Sequence, residues 1–158
     1  MELQIGSPAP EFSLPDDSGN TRSLKDFSGK KLVIFFYAKD NTAGCTCQAQ
    51  GYGELYEEFR SLGYEVVGIS RDSAASHARF KQKLALPYPL LSDPDRAAHE
   101  AYGVWKEKTM YGKKSMGTER SSFVTDEKGT LVGVFRKVNS KTNPAEMLRF
   151  CAEMQKGL

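Results

Sequence analysis

The chain has 158 residues, with 22 lysines and arginines against 20 aspartates and glutamates and a net charge of +2. Its 39% hydrophobic and 27% charged content is ordinary for a soluble globular protein, and basic residues scattered among acidic ones argue against nucleic-acid binding. No apolar run approaches the roughly 20 residues of a membrane-spanning helix, and Met1–Gly6 lacks the features of a secretory signal. We therefore expect one cytoplasmic domain over residues 1–158, with no membrane partner.

The chain contains three cysteines, which is an odd number and too few for a disulfide scaffold. Disulfides are rare in reducing compartments, where a small number of cysteines more often serves reactive thiol chemistry. The cysteine count therefore predicts a cytosolic protein whose thiols are reduced and reactive.

The first half of the chain predicts an N-terminal hairpin, a buried strand and a long helix. Residues 8–14 are apolar at alternate positions, and a turn at 16–20 returns a short arm at 21–24. Six consecutive apolar residues, Leu32–Tyr37, predict a strand buried on both faces. A helical pattern then begins near Cys45 and ends at Leu62, before a glycine. Its apolar positions recur at three- and four-residue spacing: Tyr52, Leu55, Tyr56 and Phe59.

The second half predicts two crossovers followed by a hairpin and a helix. Its elements are a strand at 65–70, a helix at 74–84, a short edge strand within 87–92, a short helix at 95–102, a long exposed loop at 105–116, strands at 120–125 and 131–136, and a last helix from Pro144 with Met147, Leu148, Cys151 and Met154 on one face. Two crossovers imply parallel core strands, and the hairpin adds antiparallel ones. This order predicts an α/β, thioredoxin-like fold, with a central mixed sheet flanked by helices and an N-terminal hairpin extension.

Cys45 lies where the buried strand gives way to the long helix. The first backbone N–H groups of a helix are unpaired, and the helix dipole is positive there. A thiolate at such a place is stabilised, which lowers the pKa of the thiol and makes the sulfur nucleophilic near neutral pH. The alternative interpretation is a buried structural cysteine.

Several motifs in this order and spacing resemble those of the peroxiredoxins. They are residues 6–12 (GSPAPEF), 36–37 (FY), 39–42 (KDNT), Thr42–Cys45 (TAGC), 102–105 (YGVW), 111–114 (YGKK) and 117–123 (GTERSSF). The chain most resembles the peroxiredoxin Q group, also called bacterioferritin comigratory proteins. The resemblance implies reduction of hydrogen peroxide and organic hydroperoxides without metal or flavin, hence with no cofactor. It also implies that thioredoxin, glutaredoxin or a small thiol reduces the cysteine sulfenic acid back to the thiol.

The resemblance also assigns roles to three residues. Cys45 matches the peroxidatic cysteine, Thr42 the threonine that orients thiolate and peroxide, and Arg120 the arginine that stabilises the thiolate and the leaving oxygen. Such chemistry needs a sulfur of low pKa and fixed donors aimed at the oxygen that gains charge. The alternative for Thr42 is a helix N-cap, and for Arg120 an ion-pair residue at a strand edge.

The chain departs from the family pattern at the loop and at the resolving cysteine. Ala38 stands where the family has proline, Ala43 where it often has another, and Gln50 where many members carry a resolving cysteine. The helix at 74–84, the other usual position, contains no cysteine.

The remaining candidate redox partners are Cys47 and Cys151. We expect a one-cysteine cycle, because Cys47 projects from the other side of the helix and Cys151 lies on an apolar stripe. Cys151 is expected to be a core thiol, and the protein to be a monomer or weak homodimer.

Two other functions use Cys45 and Cys47 as a pair. A thiol-disulfide oxidoreductase is disfavoured by the missing Cys-x-x-Cys spacing. A metal-binding module lacks a nearby Met or His, since His77 and His99 are expected to be ordinary surface or helix residues.

Overall fold

The fold is described from a computed structural model that covers residues 3–156, so Met1 and Glu2 of the N-terminal segment Met1–Gly6 lie outside the described residues. The strands are β1 (Ser13–Pro15), β2 (Thr21–Ser23), β3 (Lys31–Phe36), β4 (Tyr64–Ser70), β5 (Leu90–Ser92), β6 (Trp105–Met110), β7 (Lys113–Thr118), β8 (Ser121–Thr125) and β9 (Leu131–Phe135). The helices are α1 (Ala43–Glu54), α2 (Tyr56–Ser61), α3 (Ala74–Leu84), α4 (Ala97–Ala101) and α5 (Asn143–Lys156), with a 3₁₀ turn at Leu24–Phe27.

The central sheet has five strands in the order β5-β4-β3-β8-β9. β3, β4 and β5 run parallel, whereas β8 pairs antiparallel with β3 and with β9. The predicted mixed sheet is confirmed, and so is the edge position of the short strand after Pro89. The predicted N-terminal hairpin is also present as β1 and β2.

β3 lies at the centre of the sheet because its side chains are apolar on both faces. Val33 and Phe35 point into a core layer that also contains α1, α2 and α5, while Leu32, Ile34 and Phe36 point into the layer on the other face. All five side chains are fully buried. Each contributes roughly 1.5–3 kcal/mol by burial, so the strand holds the two layers together.

Two of the predicted elements are wrong. The single helix at 45–62 is interrupted at Leu55, which serves as the C-cap of α1 and the N-cap of α2 with φ −98° and ψ 2°. The exposed loop at 105–116 is instead a regular antiparallel hairpin, in which Trp105 pairs with Thr118. Its turn places Tyr111 and Gly112 at positive φ, a conformation that suits a tight two-residue connection.

Among the helices between Leu3 and Lys156, none is both long and apolar enough to cross a membrane.

Candidate active site

Cys45 lies in the first turn of α1, directly after the loop that leaves β3. Thr42 is the N-cap residue with extended backbone (φ −84°, ψ 152°), so Cys45 is the third residue of the helix. The predicted start of the helix near Cys45 is confirmed. The residue is 1% exposed, so its sulfur is buried at the positive end of the helix dipole.

Arg120 reaches this sulfur from the connection between β7 and β8. It directly precedes β8, and its backbone carbonyl accepts a hydrogen bond from Val138. Its Nη2 donates to Cys45 Sγ at 3.4 Å. The structure therefore brings together the cysteine and the arginine that the sequence singles out.

Thr42 lies at the mouth of the site with its side chain exposed. Its Oγ1 donates to the carbonyl of Lys39 at 2.8 Å, and its side chain makes no capping bond to the helix. The hydroxyl has one proton, so it can donate either to that carbonyl or to an ionised Cys45 sulfur. Thr42 is thus an N-cap by backbone geometry while its hydroxyl remains available to the sulfur.

The surroundings of Cys45 favour the thiolate. Burial of the sulfur opposes ionisation, but hydrogen bonds from the Thr42 hydroxyl and the Lys39 backbone, and the charge and hydrogen bond of Arg120, outweigh it. Together they hold the pKa of the Cys45 thiol below its ordinary value. The result is a nucleophile with fixed donors beside it.

A buried pair of amides holds Arg120 in place, and the sequence gives no indication of it. Gln48 Oε1 accepts from Arg120 Nη1 at 2.6 Å, and Gln48 Nε2 donates to Asn143 Oδ1 at 3.0 Å. The same Asn143 oxygen accepts from the hydroxyls of Tyr52 and Ser122. Because Gln48 and Asn143 are fully buried, this network fixes the guanidinium against the sulfur.

The loop before α1 is held by a second buried network, around Asp40 and His77. His77 Nδ1 lies 2.8 Å from Asp40 Oδ2, and both side chains are almost completely buried. A similar pair joins His99 Nδ1 to Asp93 Oδ2 at 2.7 Å. His77 and His99 lie on helices, in agreement with the expectation of surface or helix residues, and both are fully buried.

The two other cysteines have different surroundings from Cys45. Cys47, two positions further along α1, is half-buried, and Gln50 is exposed. Cys151 is fully buried in the core beside Tyr64, as predicted, and burial raises the pKa of its thiol to about 12. All three cysteines are free thiols. The surroundings of Cys45 and of Cys151 thus shift the thiol pKa in opposite directions.

Comparison with known proteins identifies the family. Residues 5–134 match the AhpC/TSA family. A peroxiredoxin Bcp of Bacillus subtilis is 42% identical over 154 residues, covering 98% of this chain and 98% of the relative. A putative peroxiredoxin bcp of Coxiella burnetii is 43% identical over 148 residues, covering 94% and 98%.

Comparison with solved structures indicates the same family. A bacterioferritin comigratory protein of Xanthomonas campestris, studied for its alkyl peroxide reduction activity, superposes with a TM-score of 0.87 at 37% identity, over 91% of this chain and 92% of that one. The chain therefore belongs to the AhpC/TSA family and, within it, to the peroxiredoxin Q or Bcp group of thiol-dependent peroxidases.

Proposed function

We propose that Cys45 is the peroxidatic cysteine of this peroxidase and that Thr42 and Arg120 assist it. The observation that carries the proposal is the Arg120 guanidinium 3.4 Å from a sulfur in the first turn of α1. The proposed substrates are hydrogen peroxide and organic hydroperoxides, the latter supported by the alkyl peroxide reduction activity of the Xanthomonas campestris relative. The unit that acts is a single domain over residues 1–158.

In the first step the Cys45 thiolate attacks the terminal oxygen of the peroxide. A sulfur–oxygen bond forms, the oxygen–oxygen bond breaks, and the departing hydroxide or alkoxide takes a proton to leave as water or an alcohol. Arg120 is placed to stabilise the charge on that oxygen, and Thr42 to orient thiolate and peroxide. Cys45 is left as a sulfenic acid.

We propose that the Cys45 sulfenic acid is reduced back to the thiol in a one-cysteine cycle. A thiolate from thioredoxin, glutaredoxin or a small thiol attacks the Cys45 sulfur, releases water and forms a mixed disulfide. A second thiol then attacks that disulfide, which restores the Cys45 thiol and carries away the oxidised reductant. The geometry supports this cycle, because Cys47 shares the first turns of α1 with Cys45 and Cys151 is buried in the core.

The assignment of Cys45 is tested by the Cys45→Ser variant. Peroxide consumption with a supplied thiol should be lost while the fold is retained, because the change is nearly isosteric. Mass spectrometry after one equivalent of hydrogen peroxide should place one added oxygen on Cys45. Substantial peroxidase activity in Cys45→Ser would overturn the assignment.

Thr42 is tested by comparing two variants of similar size to threonine. Thr42→Ser keeps a hydroxyl and should stay close to the parent in rate, whereas Thr42→Val should lower kcat/KM and raise the Cys45 pKa.

Two further measurements test the class of enzyme and the oligomeric state. An insulin-reduction assay distinguishes the peroxidase from a thiol-disulfide oxidoreductase. Gel filtration distinguishes a monomer from a weak homodimer.

A further inference from the structure

The loop between β3 and α1 carries two of the groups that lower the pKa of the Cys45 thiol, the Thr42 hydroxyl and the Lys39 backbone. Residues 38–42 contain no proline, and Asn41 adopts a positive φ of 67°. Ala38 and Lys39 are exposed, so neither is held by packing. The conformation of this loop is therefore not fixed by its own sequence and requires bonds from elsewhere in the fold.

Asp40 provides those bonds from the middle of the loop. Its N–H donates to Asp72 Oδ2 at 2.8 Å. Its carboxylate accepts from the Tyr37 hydroxyl at 2.6 Å, from Ser76 Oγ at 2.8 Å and from His77 Nδ1 at 2.8 Å. These partners belong to the end of β3, the segment after β4 and the first turns of α3, so Asp40 ties the loop to three elements.

Hydrogen bonds fix the His77 ring against Asp40 from both sides. His77 Nε2 faces the carbonyl of Leu91 at 2.9 Å, and because a carbonyl can only accept, this nitrogen carries a proton. The other ring nitrogen, Nδ1, faces Asp40 Oδ2 at 2.8 Å. Although burial opposes ionisation, the hydrogen bond and charge of His77 hold the pKa of Asp40 below its usual value.

The same bonds argue against a metal ion at this place. Ligand atoms of Asp40, Asp72 and His77 lie within 4.8 Å of one another, which is close enough to hold a metal. Both ring nitrogens of His77 are already engaged, however, one with the Leu91 carbonyl and the other with Asp40, and the Asp40 oxygens have three hydrogen-bond partners. The cluster is an anchor made of buried hydrogen bonds.

We propose that the buried Asp40–His77 pair is a positioning device that fixes the loop at residues 38–42 and thereby sets the reactivity of the Cys45 thiol. Lys39 adjoins Asp40, and its carbonyl accepts from the Thr42 hydroxyl. When the pair is broken, one buried polar side chain is left without its partner. The loop then rearranges, and the Lys39 backbone and the Thr42 hydroxyl no longer favour the Cys45 thiolate. The inference rests on the proposed role of Cys45.

The test uses His77→Asn, Asp40→Asn and the double variant, each in a Cys47→Ser, Cys151→Ser background so that one thiol titrates. The pKa of Cys45 is measured from thiolate absorbance without peroxide, and its oxidation by stoichiometric peroxide is measured separately. We expect each single variant to raise the thiol pKa by about one unit. Oxidation at neutral pH should slow about tenfold to a hundredfold. The double variant should shift the pKa no further than the larger single change, because both residues act through one pair.

Leu32→Ala is the matched control. Leu32 is fully buried at the far end of β3, where it pairs with Glu65 and Thr125, so its truncation lowers stability without touching the loop. It should leave the Cys45 pKa unchanged. If His77→Asn does not fold, the Tyr37→Phe variant provides the test, because it removes one hydrogen bond to Asp40 while the Asp40–His77 bond remains. It should raise the pKa by a smaller amount.

The inference is overturned if His77→Asn and Asp40→Asn, or Tyr37→Phe in their place, shift the pKa no more than Leu32→Ala does. Additive shifts in the double variant would overturn it as well. A different result would contradict the proposed function, namely peroxidase activity that is retained in the Cys45→Ser variant.

Discussion

Arg120 Nη2 lies 3.4 Å from the sulfur of Cys45, although 75 positions separate the two residues in the chain. The sheet register explains the contact. β3 and β8 pair antiparallel with Phe36 opposite Ser121, so the C-terminal end of β3 lies beside the start of β8 at one end of the strands. Cys45 follows the first of these strands and Arg120 precedes the second. The fold therefore places a cation beside the thiol without any local motif.

Arg120 should act through its charge and its planar set of donors. Arg120→Met should raise the Cys45 pKa and slow peroxide reduction by about 2–4 kcal/mol in barrier, the scale for loss of one preorganised donor. Arg120→Lys should retain only part of the rate, because an ammonium cannot bond Gln48 and the sulfur in the same geometry. Thiolate titration and stopped-flow kinetics provide the measurements. A variant that matches the parent in both would remove Arg120 from the site.

The rate of Cys45 oxidation should depend on pH through its lowered pKa. The thiolate fraction, and with it the rate, should rise as the pH crosses the folded-state pKa and level off below 9.0, the ordinary value for a thiol. Cys151, with a pKa raised to about 12, should stay unreacted over this range. Mass spectrometry of samples quenched after brief peroxide exposure follows both residues. A rate that still climbs above pH 9 would contradict the lowered pKa.

The lowered pKa of Cys45 should also make the free energy of unfolding depend on pH, because the folded state favours the Cys45 thiolate more than the unfolded state does. The stabilisation is fully present above the unfolded-state pKa and is lost as the pH falls through the folded-state pKa. Comparison of the parent with Cys45→Ser by urea unfolding at several pH values isolates this contribution.

The sequence singles out the residues that we propose to react at the site, but it does not reveal those that support them. The position of Cys45, at the junction of a predicted strand and a predicted helix, indicates a reactive thiol. No feature of the sequence indicates the role of Gln48, because a single polar residue on a helix resembles a surface residue. Its partner Asn143 lies 95 positions away. Asp40 stands in a Lys-Asp-Asn stretch with loop composition, and its buried partners lie up to 37 positions away.

The two errors in the fold also have physical causes. Most side chains of β7 are exposed, so the hairpin of β6 and β7 lacks the alternation of apolar and polar residues by which strands are recognised. The apolar face formed by Tyr52, Tyr56 and Phe59 continues across the break at Leu55. A periodic pattern that crosses the break unchanged cannot reveal where one helix ends and the next begins.

A carboxylate at position 48 should weaken the effect of Arg120 on the sulfur. Gln48→Glu puts a negative charge where Oε1 now accepts from Arg120 Nη1 at 2.6 Å, and that charge partly neutralises the guanidinium. We expect the Cys45 pKa to rise by about one unit. Gln50→Glu makes the same change at an exposed position of α1 and should have little effect, because solvent screens it. Equal shifts in the two variants would show that Gln48 has no special coupling to Arg120.

The contact between α1 and α5 depends on a glycine. A Cβ added at Gly51 would lie 2.7 Å from Pro144 Cγ, which is too close for the helices to keep their spacing. Gly51→Ala gains about 1 kcal/mol of helix propensity, but overpacking costs about 1–3 kcal/mol. We therefore expect a net loss of stability of about 1 kcal/mol in urea unfolding. Gly53→Ala is the control, since its Cβ meets only ordinary contacts at 3.4 and 3.5 Å, and it should be neutral or stabilising.

The position of Cys151 bears on the one-cysteine cycle. Asn143, at the start of α5, lies at the active-site end of the fold because it bonds to Gln48. Cys151 comes eight residues later, about 12 Å further along the helix. It lies beside Tyr64, which pairs with Lys31 at the opposite end of β3 from the strand end that leads to Cys45. A disulfide requires Cα atoms within about 7 Å, so Cys151 reaches Cys45 only if α5 detaches.

The Cys45 sulfenic acid should therefore persist in the oxidised protein. Detaching α5 would expose Met147 and Cys151, and unwinding the first turn of α1 to join Cys45 to Cys47 would close a very small, strained ring. Dimedone should tag Cys45 after one equivalent of peroxide, and excess peroxide should convert it to the sulfinic acid. Cys47→Ser and Cys151→Ser should consume peroxide nearly as fast as the parent when a small thiol is supplied. A stoichiometric Cys45–Cys47 or Cys45–Cys151 bridge, found by non-reducing peptide mapping at low peroxide, would show instead that the protein resolves its own sulfenic acid by local unfolding.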